Sequence, residues 1–239
     1  AYWDLVTKFC VAYDEATAKD VYGLPIQLEY APTSDSSKYP GRSSLEETYR
    51  VILEDLEAAT ALTTAGAKNS VYWTKDAVNA MRARVYLNMK NYEEAASIAQ
   101  ELILTGTYKL VESEGEMNNM WFADTSDENI FVVAASLNDA PTSTGSYYIY
   151  DNNARDGSTP NSQYLPSQTL IDLYGATPEE RAKDLRYAAY FQTRPIEVSG
   201  METKNMEIFW KFSGNPTLRT GAQLNYTSAG KPFRIAEQY

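Results

Sequence analysis

The 239-residue chain contains no histidine. The side chain most often used as general base, proton shuttle and metal ligand near neutral pH is therefore missing. A serine hydrolase would need a Ser-Lys arrangement instead, and no motif supports one. Cys10 is the only cysteine, so an intrachain disulfide is impossible. It follows Leu5, Val6 and Phe9 in an apolar series, which predicts a small buried thiol. No apolar run approaches the about 18 residues needed to cross a bilayer. Positive charge is also scarce. The 21 basic residues face 32 acidic ones, for a net charge of -11. Such a surface repels phosphate backbones and anionic headgroups, which argues against nucleic acid and direct membrane adsorption as partners. No GxGxxG, P-loop or metal-spaced Cys/His pattern occurs, so no cofactor and no metal is expected. Glycosidases need two carboxylates held across a cleft. Among 32 acidic residues such pairs can be found anywhere and carry no information. The expectation is a protein that is not an enzyme.

What is present is a globular composition, 44% hydrophobic and 22% charged. The chain starts without Met and already in helical period, from Tyr2 to about residue 13, with no capping residue before it. Phe233 to Tyr239 likewise stops inside an apparent helix, so the chain reads as an excerpt of a longer protein. Residues 22–41, beginning Tyr22-Gly23-Leu24-Pro25, suggest extended surface chain. Ser43-Ser44-Leu45-Glu46-Glu47 then holds overlapping capping boxes. Leu45, Tyr49, Ile52, Leu53, Leu56 and Ala59 mark one face of a helix running to about Leu62.

Residues 74–110 are the most informative. Thr74 can cap a helix carrying Ala77, Met81, Arg84, Val85 and Leu87. Lys90-Asn91 makes a turn, and Asn91 with Glu94 opens a second helix. Small residues fall where two helices would touch, at Ala80, Ala83, Ala95, Ala96 and Ala99. The offsets match a tetratricopeptide unit, with Ala83, Tyr86, Tyr92, Ala95 and Ala99 at its small and aromatic positions and Lys90 in place of the turn glycine. One unit cannot bury its own face, so other helices must stack on it. The expected fold is mainly α, built on tetratricopeptide-like helix pairs with long loops and a few short strands.

Beyond residue 110, Trp121-Phe122 and Ile130-Phe131-Val132-Val133 are short apolar runs, the second a strand. Residues 136–167 have no helical period and read as a long structured loop. Thr177-Pro178-Glu179-Glu180 combines cap, N1 proline and capping box, opening a helix toward Tyr190. Glu207 to Phe212 reads as a strand. Trp73, Trp121 and Trp210 are expected in the core.

The order of these motifs resembles the SusD/RagB family. The carriers are Gly23-Leu24-Pro25; Arg42-Ser43-Ser44-Leu45-Glu46-Glu47 with Tyr49 and Ile52 to Ala59; and Ala83-Arg84-Val85-Tyr86-Leu87 with Asn91 to Ala96. Glu128-Asn129-Ile130-Phe131, Leu165-Pro166-Ser167 through Tyr174, and Arg234 to Tyr239 complete the series, which covers nearly the whole chain. The resemblance implies a single SusD-like domain over residues 1–239, with its tetratricopeptide-like unit at about 74–110. It also implies a cell-surface protein of the outer membrane, held by an N-terminal lipid anchor that this chain does not carry. Such a protein would bind a glycan and deliver it to a SusC-like TonB-dependent transporter.

A glycan site needs flat aromatic faces for the apolar side of sugar rings and amides or carboxylates for the hydroxyls. Tyr147, Tyr148 and Tyr150 with Asn152 and Asn153, in the loop region at about 136–167, offer both. The same tyrosines could instead pin the loop to the helices. Asp151, Asn153 and Asp156 suggest calcium at first sight, but Arg155 and Gly157 break the ligand spacing, so a polar turn is the reading adopted. Peptide or another nutrient as ligand, and a plain tetratricopeptide scaffold for protein partners, remain alternatives.

Overall fold

The computed structural model describes residues 1–138, 164–198, 202–211, 213–218 and 227–239. It divides into two compact units, one of residues 1–107 with 233–239 and the other of residues 108–232.

The first unit is mainly helical. Its opening helix, Tyr2–Phe9 (α1), buries only Val6 and ends earlier than the apolar period suggested. Cys10 turns the backbone extended, and Asp14 then accepts from the Ala16 amide in a tight turn. Cys10 is half-buried rather than buried. Tyr22–Pro25 (β1) pairs antiparallel with Arg42–Ser44 (β2), so the segment expected to be surface chain carries buried Gly23 and Leu24. Gly23 is required here. A Cβ at that position would collide with Thr48 Oγ1 and the Ser44 carbonyl.

Ser44 also caps the next helix, Leu45–Leu62 (α2), its hydroxyl accepting from the Glu47 amide at 3.1 Å. The capped register turns Leu45, Tyr49 and Ile52 into the core. Tyr49 packs edge-on against Tyr13, with ring centroids 4.8 Å apart, and donates to Asn88 Oδ1 at 2.5 Å. Burial, with Cys10 and Tyr13 nearby, pushes the Tyr49 hydroxyl up to about 12.

Lys75–Asn88 (α3) and Tyr92–Leu104 (α4) form a helical hairpin, capped by Thr74 and Asn91 as the sequence indicates. Ala80, Ala83 and Ala95 are buried, and Ala99 is half-buried. Ala96 is exposed, contrary to its expected place in the contact, because it lies on the outer side of its helix, and Leu87 is exposed as well. Lys90 takes the turn with a φ of 62°, the left-handed conformation usually left to glycine.

The last residues of the chain return to this hairpin. Both guanidinium nitrogens Nε and Nη2 of Arg84 donate to the Glu237 carboxylate at 2.6 Å. The same guanidinium lies 4.3 Å from the Phe233 ring centre. Of the expected terminal helix only a single 3-10 turn, Ile235–Glu237, forms.

In the second unit, Glu114–Phe122 (α5) begins with a full capping box of Ser113 and Glu116. The Glu116 carboxylate accepts from the Glu112 and Ser113 amides, which holds it below its ordinary value. Asn129–Val133 (β3) pairs with Gly230–Arg234 (β6). Three short helices follow in sequence, Gln168–Asp172 (α6), Pro178–Arg181 (α7) and Leu185–Tyr190 (α8). The helix expected from residue 177 to Tyr190 is thus broken at residues 182–184. Asp184 recaps the chain there, accepting from the Arg186 amide at 2.9 Å. Phe191–Val198 (β4) and Glu202–Phe209 (β5) form an antiparallel hairpin in continuous register from Phe191 opposite Phe209 to Val198 opposite Glu202.

Candidate functional site

Tyr147, Tyr148, Tyr150, Asn152 and Asn153 lie outside the described residues, as do Asp151 and Asp156 of the acidic cluster. The described chain flanking that segment is exposed and apolar, with Val133 and Leu137 on one side and Tyr164 and Leu165 on the other. The strand leading into it is anchored from behind. Glu128 is buried, accepts the Val111 amide at 2.9 Å and donates its own amide to Ser126 Oγ at 3.1 Å. The Glu-Asn-Ile-Phe motif is therefore a structural clamp that fixes where β3 begins.

Behind this clamp the second unit collects aromatic rings and cations. Trp121 is buried, as expected, and meets Tyr190 edge-on at 5.8 Å. Lys211 Nζ sits 4.0 Å from the Trp121 ring centre and 4.4 Å from that of Tyr190. Trp210 is half-buried, and its ring carries the Arg194 guanidinium at 4.5 Å. Tyr174, Tyr187, Phe191 and Phe209 form a further chain of ring contacts at 5.3 to 5.9 Å. These rings spend their faces on one another and on side-chain cations, which is the arrangement of a core.

Beneath Trp121 lies a buried ion pair. Lys231 Nζ donates to Asp124 Oδ1 and to the Ala229 carbonyl, both at 2.8 Å. Asp124 Oδ2 accepts from Asn215 Nδ2 at 2.9 Å, and Asn215 Oδ1 in turn accepts from the Thr217 amide and hydroxyl. Asp124 itself has a φ of 59°. Each polar atom of the cluster is engaged by the fold, which leaves this group a staple between three segments of the unit.

Exposed aromatic surface is found in the first unit. Trp73, expected in the core, is 51% exposed, and its neighbour Tyr72 is 78% exposed. Neither carries a periodic signal, because both sit in the loop ahead of the Thr74 cap. Among the described residues no group of three or more His, Cys, Asp or Glu side chains could hold a metal ion. No described helix is long and apolar enough to cross a membrane.

No protein-family model matches the chain, and no curated protein matches it. Solved structures do. A SusD superfamily protein from Bacteroides thetaiotaomicron superimposes with a TM-score of 0.68 and 24% identity, over 100% of this chain and 50% of that one. A SusD-like carbohydrate binding protein from Bacteroides vulgatus gives 0.66 and 19%, over 100% of this chain and 46% of the other. Surface glycan-binding protein A from Bacteroides fluxus gives 0.63 and 19%, over 93% of this chain and 50% of the other. The chain thus spans about half the length of the structures it matches. Its fold, mainly helical with a few short strands, is the SusD-like fold.

Proposed function

We propose that this chain belongs to a non-catalytic glycan-binding protein of the bacterial outer-membrane surface. In this reading the whole protein is held by an N-terminal lipid anchor and delivers oligosaccharides to a SusC-like TonB-dependent transporter. The observation that carries the proposal is the superposition of 93 to 100% of the chain on solved structures named as carbohydrate-binding or glycan-binding proteins. The chemistry agrees with it. A binder that hands its ligand on needs aromatic faces and hydroxyl partners but no acid-base pair. The hairpin of α3 and α4 serves in this reading as a tetratricopeptide-like unit, and Tyr147, Tyr148, Tyr150, Asn152 and Asn153 remain the proposed ligand contacts.

Titration calorimetry tests the binding step, using maltoheptaose, laminarihexaose, xylohexaose and mannohexaose beside a set of unrelated hexapeptides. Saturable binding of at least one saccharide is expected. Binding of peptides alone, or of nothing in the panel, overturns the glycan reading. The transport step is tested by tagging the full-length protein and purifying it from its own outer membrane in mild detergent. A stoichiometric transporter should copurify, and its repeated absence at low salt overturns that step.

A further inference from the structure

Helix α1 carries more apolar surface than this chain covers. Val6 is buried, with Trp3 and Cys10 half-buried on the same side. Tyr2 is tied down by its hydroxyl, which donates to the Gln27 carbonyl at 2.9 Å. Asp4, Thr7 and Lys8 make up the exposed polar side. Between the covered and the polar sides fall Leu5 and Phe9, four residues apart and so on one face. Both are exposed, Phe9 to 71%. The apolar arc of the helix is therefore wider than the part that packs, and Leu5 and Phe9 are its open edge. The edge runs on into neighbouring residues. Extended backbone at Cys10 leads to Val11, 62% exposed. Arg42 joins this end of α1 to β1, its Nη2 lying 4.0 Å from Cys10 Sγ and donating to the Tyr22 carbonyl at 3.2 Å. Its Nε donates to the Gly23 carbonyl at 2.8 Å, and the guanidinium sits 5.3 Å from the centre of the exposed Tyr22 ring. Leu5, Phe9, Val11 and Tyr22 thus form an apolar patch fixed from behind by Arg42.

We propose that this patch seats an amphipathic helix supplied by the part of the full-length protein that lies outside residues 1–239. Solved structures that superimpose on 100% of this chain are about twice its length, so about half of each lies beyond the match. The inference goes beyond glycan binding and rests only on that part of the reading above in which the chain belongs to a longer protein. Contiguous exposed apolar side chains mark contact surfaces. Two of them at i and i+4 on a helix form the ridge that sets into the groove of another helix. A second copy of the chain would need about 800 Å² of interface per partner, and four partly exposed side chains supply less. A helix on the same polypeptide docks at high effective concentration and holds through a smaller area. The patch sets its chemistry: aliphatic or aromatic residues at helical spacing toward Leu5 and Phe9, and an acidic margin where it passes Lys8.

The test uses the full-length protein, tagged and expressed in its own cells. Its mass comes first, and a protein no larger than the 26.8 kDa of this chain overturns the premise and the proposal together. The photoreactive p-benzoylphenylalanine is then placed at Phe9, where it keeps the ring, and irradiated in cells before digestion and mass spectrometry. Crosslinks to an apolar helical segment of the same polypeptide, outside residues 1–239, are expected. The same probe in place of Asp4, on the polar side of α1, should give none. Crosslinks between two copies, to a different protein such as a transporter, or to residues within 1–239 overturn the proposal. The absence of any crosslink from position 9 overturns it too, since the face is then open to solvent. No saccharide enters these measurements, so their failure leaves the glycan reading standing, and failure of the calorimetry leaves this proposal standing.

Discussion

At the residue scale, the interaction most sensitive to substitution is the Lys231 ammonium, whose side chain is 3% exposed beside an Asp124 side chain 13% exposed. Truncating one member of such a pair strands the other charge away from water. Lys231→Met is therefore expected to lower stability by about 3–5 kcal/mol in urea denaturation. Adding Asp124→Asn should recover much of the loss, because asparagine tolerates the φ of 59° and removes the stranded charge. A double variant no more stable than the single one refutes the account. Tyr49 supplies a pH signature. Its hydroxyl is raised from 10.0 to about 12 in the folded chain. Protonated Tyr49 is then favoured by folding, so its contribution is complete below pH 10 and lost as pH rises toward 12. The loss should reach about 2–3 kcal/mol for a two-unit shift. Tyr49→Phe should flatten the alkaline limb of the stability curve. A limb of unchanged steepness in that variant places the titration elsewhere.

At the element scale, the α3–α4 hairpin is held by close approach at small residues. Ala95 is 8% exposed, and Ala95→Leu should overpack the contact and cost roughly 1–3 kcal/mol. Ala96, one residue on and exposed, is the control, and Ala96→Leu should change stability by less than about 0.5 kcal/mol. Equal effects at the two sites, measured by thermal or urea unfolding, contradict the packing described. These helices were legible in the sequence because Ser44, Thr74 and Asn91 each bind an amide only three residues away, so cap and helix are encoded together. Longer-range features were not. Gly23 is buried because strand β2 and Thr48 come close to it, some twenty residues later in the chain. Strand β4 contains Pro195, a residue that weakens any strand assignment, and it is stabilised by pairing with β5. Trp73 looked like core because bulky aromatics usually are, and a ring contact that partly covers it comes from Phe233, distant in sequence. The five loop residues proposed for ligand lie beyond the described structure, so their part in the site rests on residue chemistry alone.

For the whole molecule, the excess of 32 acidic over 21 basic residues sets a broad preference. Under the proposed glycan reading, affinity for a neutral oligosaccharide should be insensitive to salt, whereas a sulfated or uronic-acid counterpart of equal length should bind weakly and improve as salt screens repulsion. Calorimetry at about 20 and 200 mM salt checks this, roughly spanning the range over which screening becomes short. Tighter binding of the charged sugar at low salt refutes it. The first unit is also discontinuous, since Arg84 grips Glu237 across 153 residues of chain. Closing so long a loop costs little at equilibrium, because each doubling adds only about 0.6 kcal/mol. The burden falls on synthesis. At roughly 5–20 residues per second, Arg84 leaves the ribosome about ten to thirty seconds before its partner exists. Through that interval the hairpin must persist with Trp73 unsupported by Phe233, so the nascent chain exposes a surface that is covered only once residues 233–239 have been made.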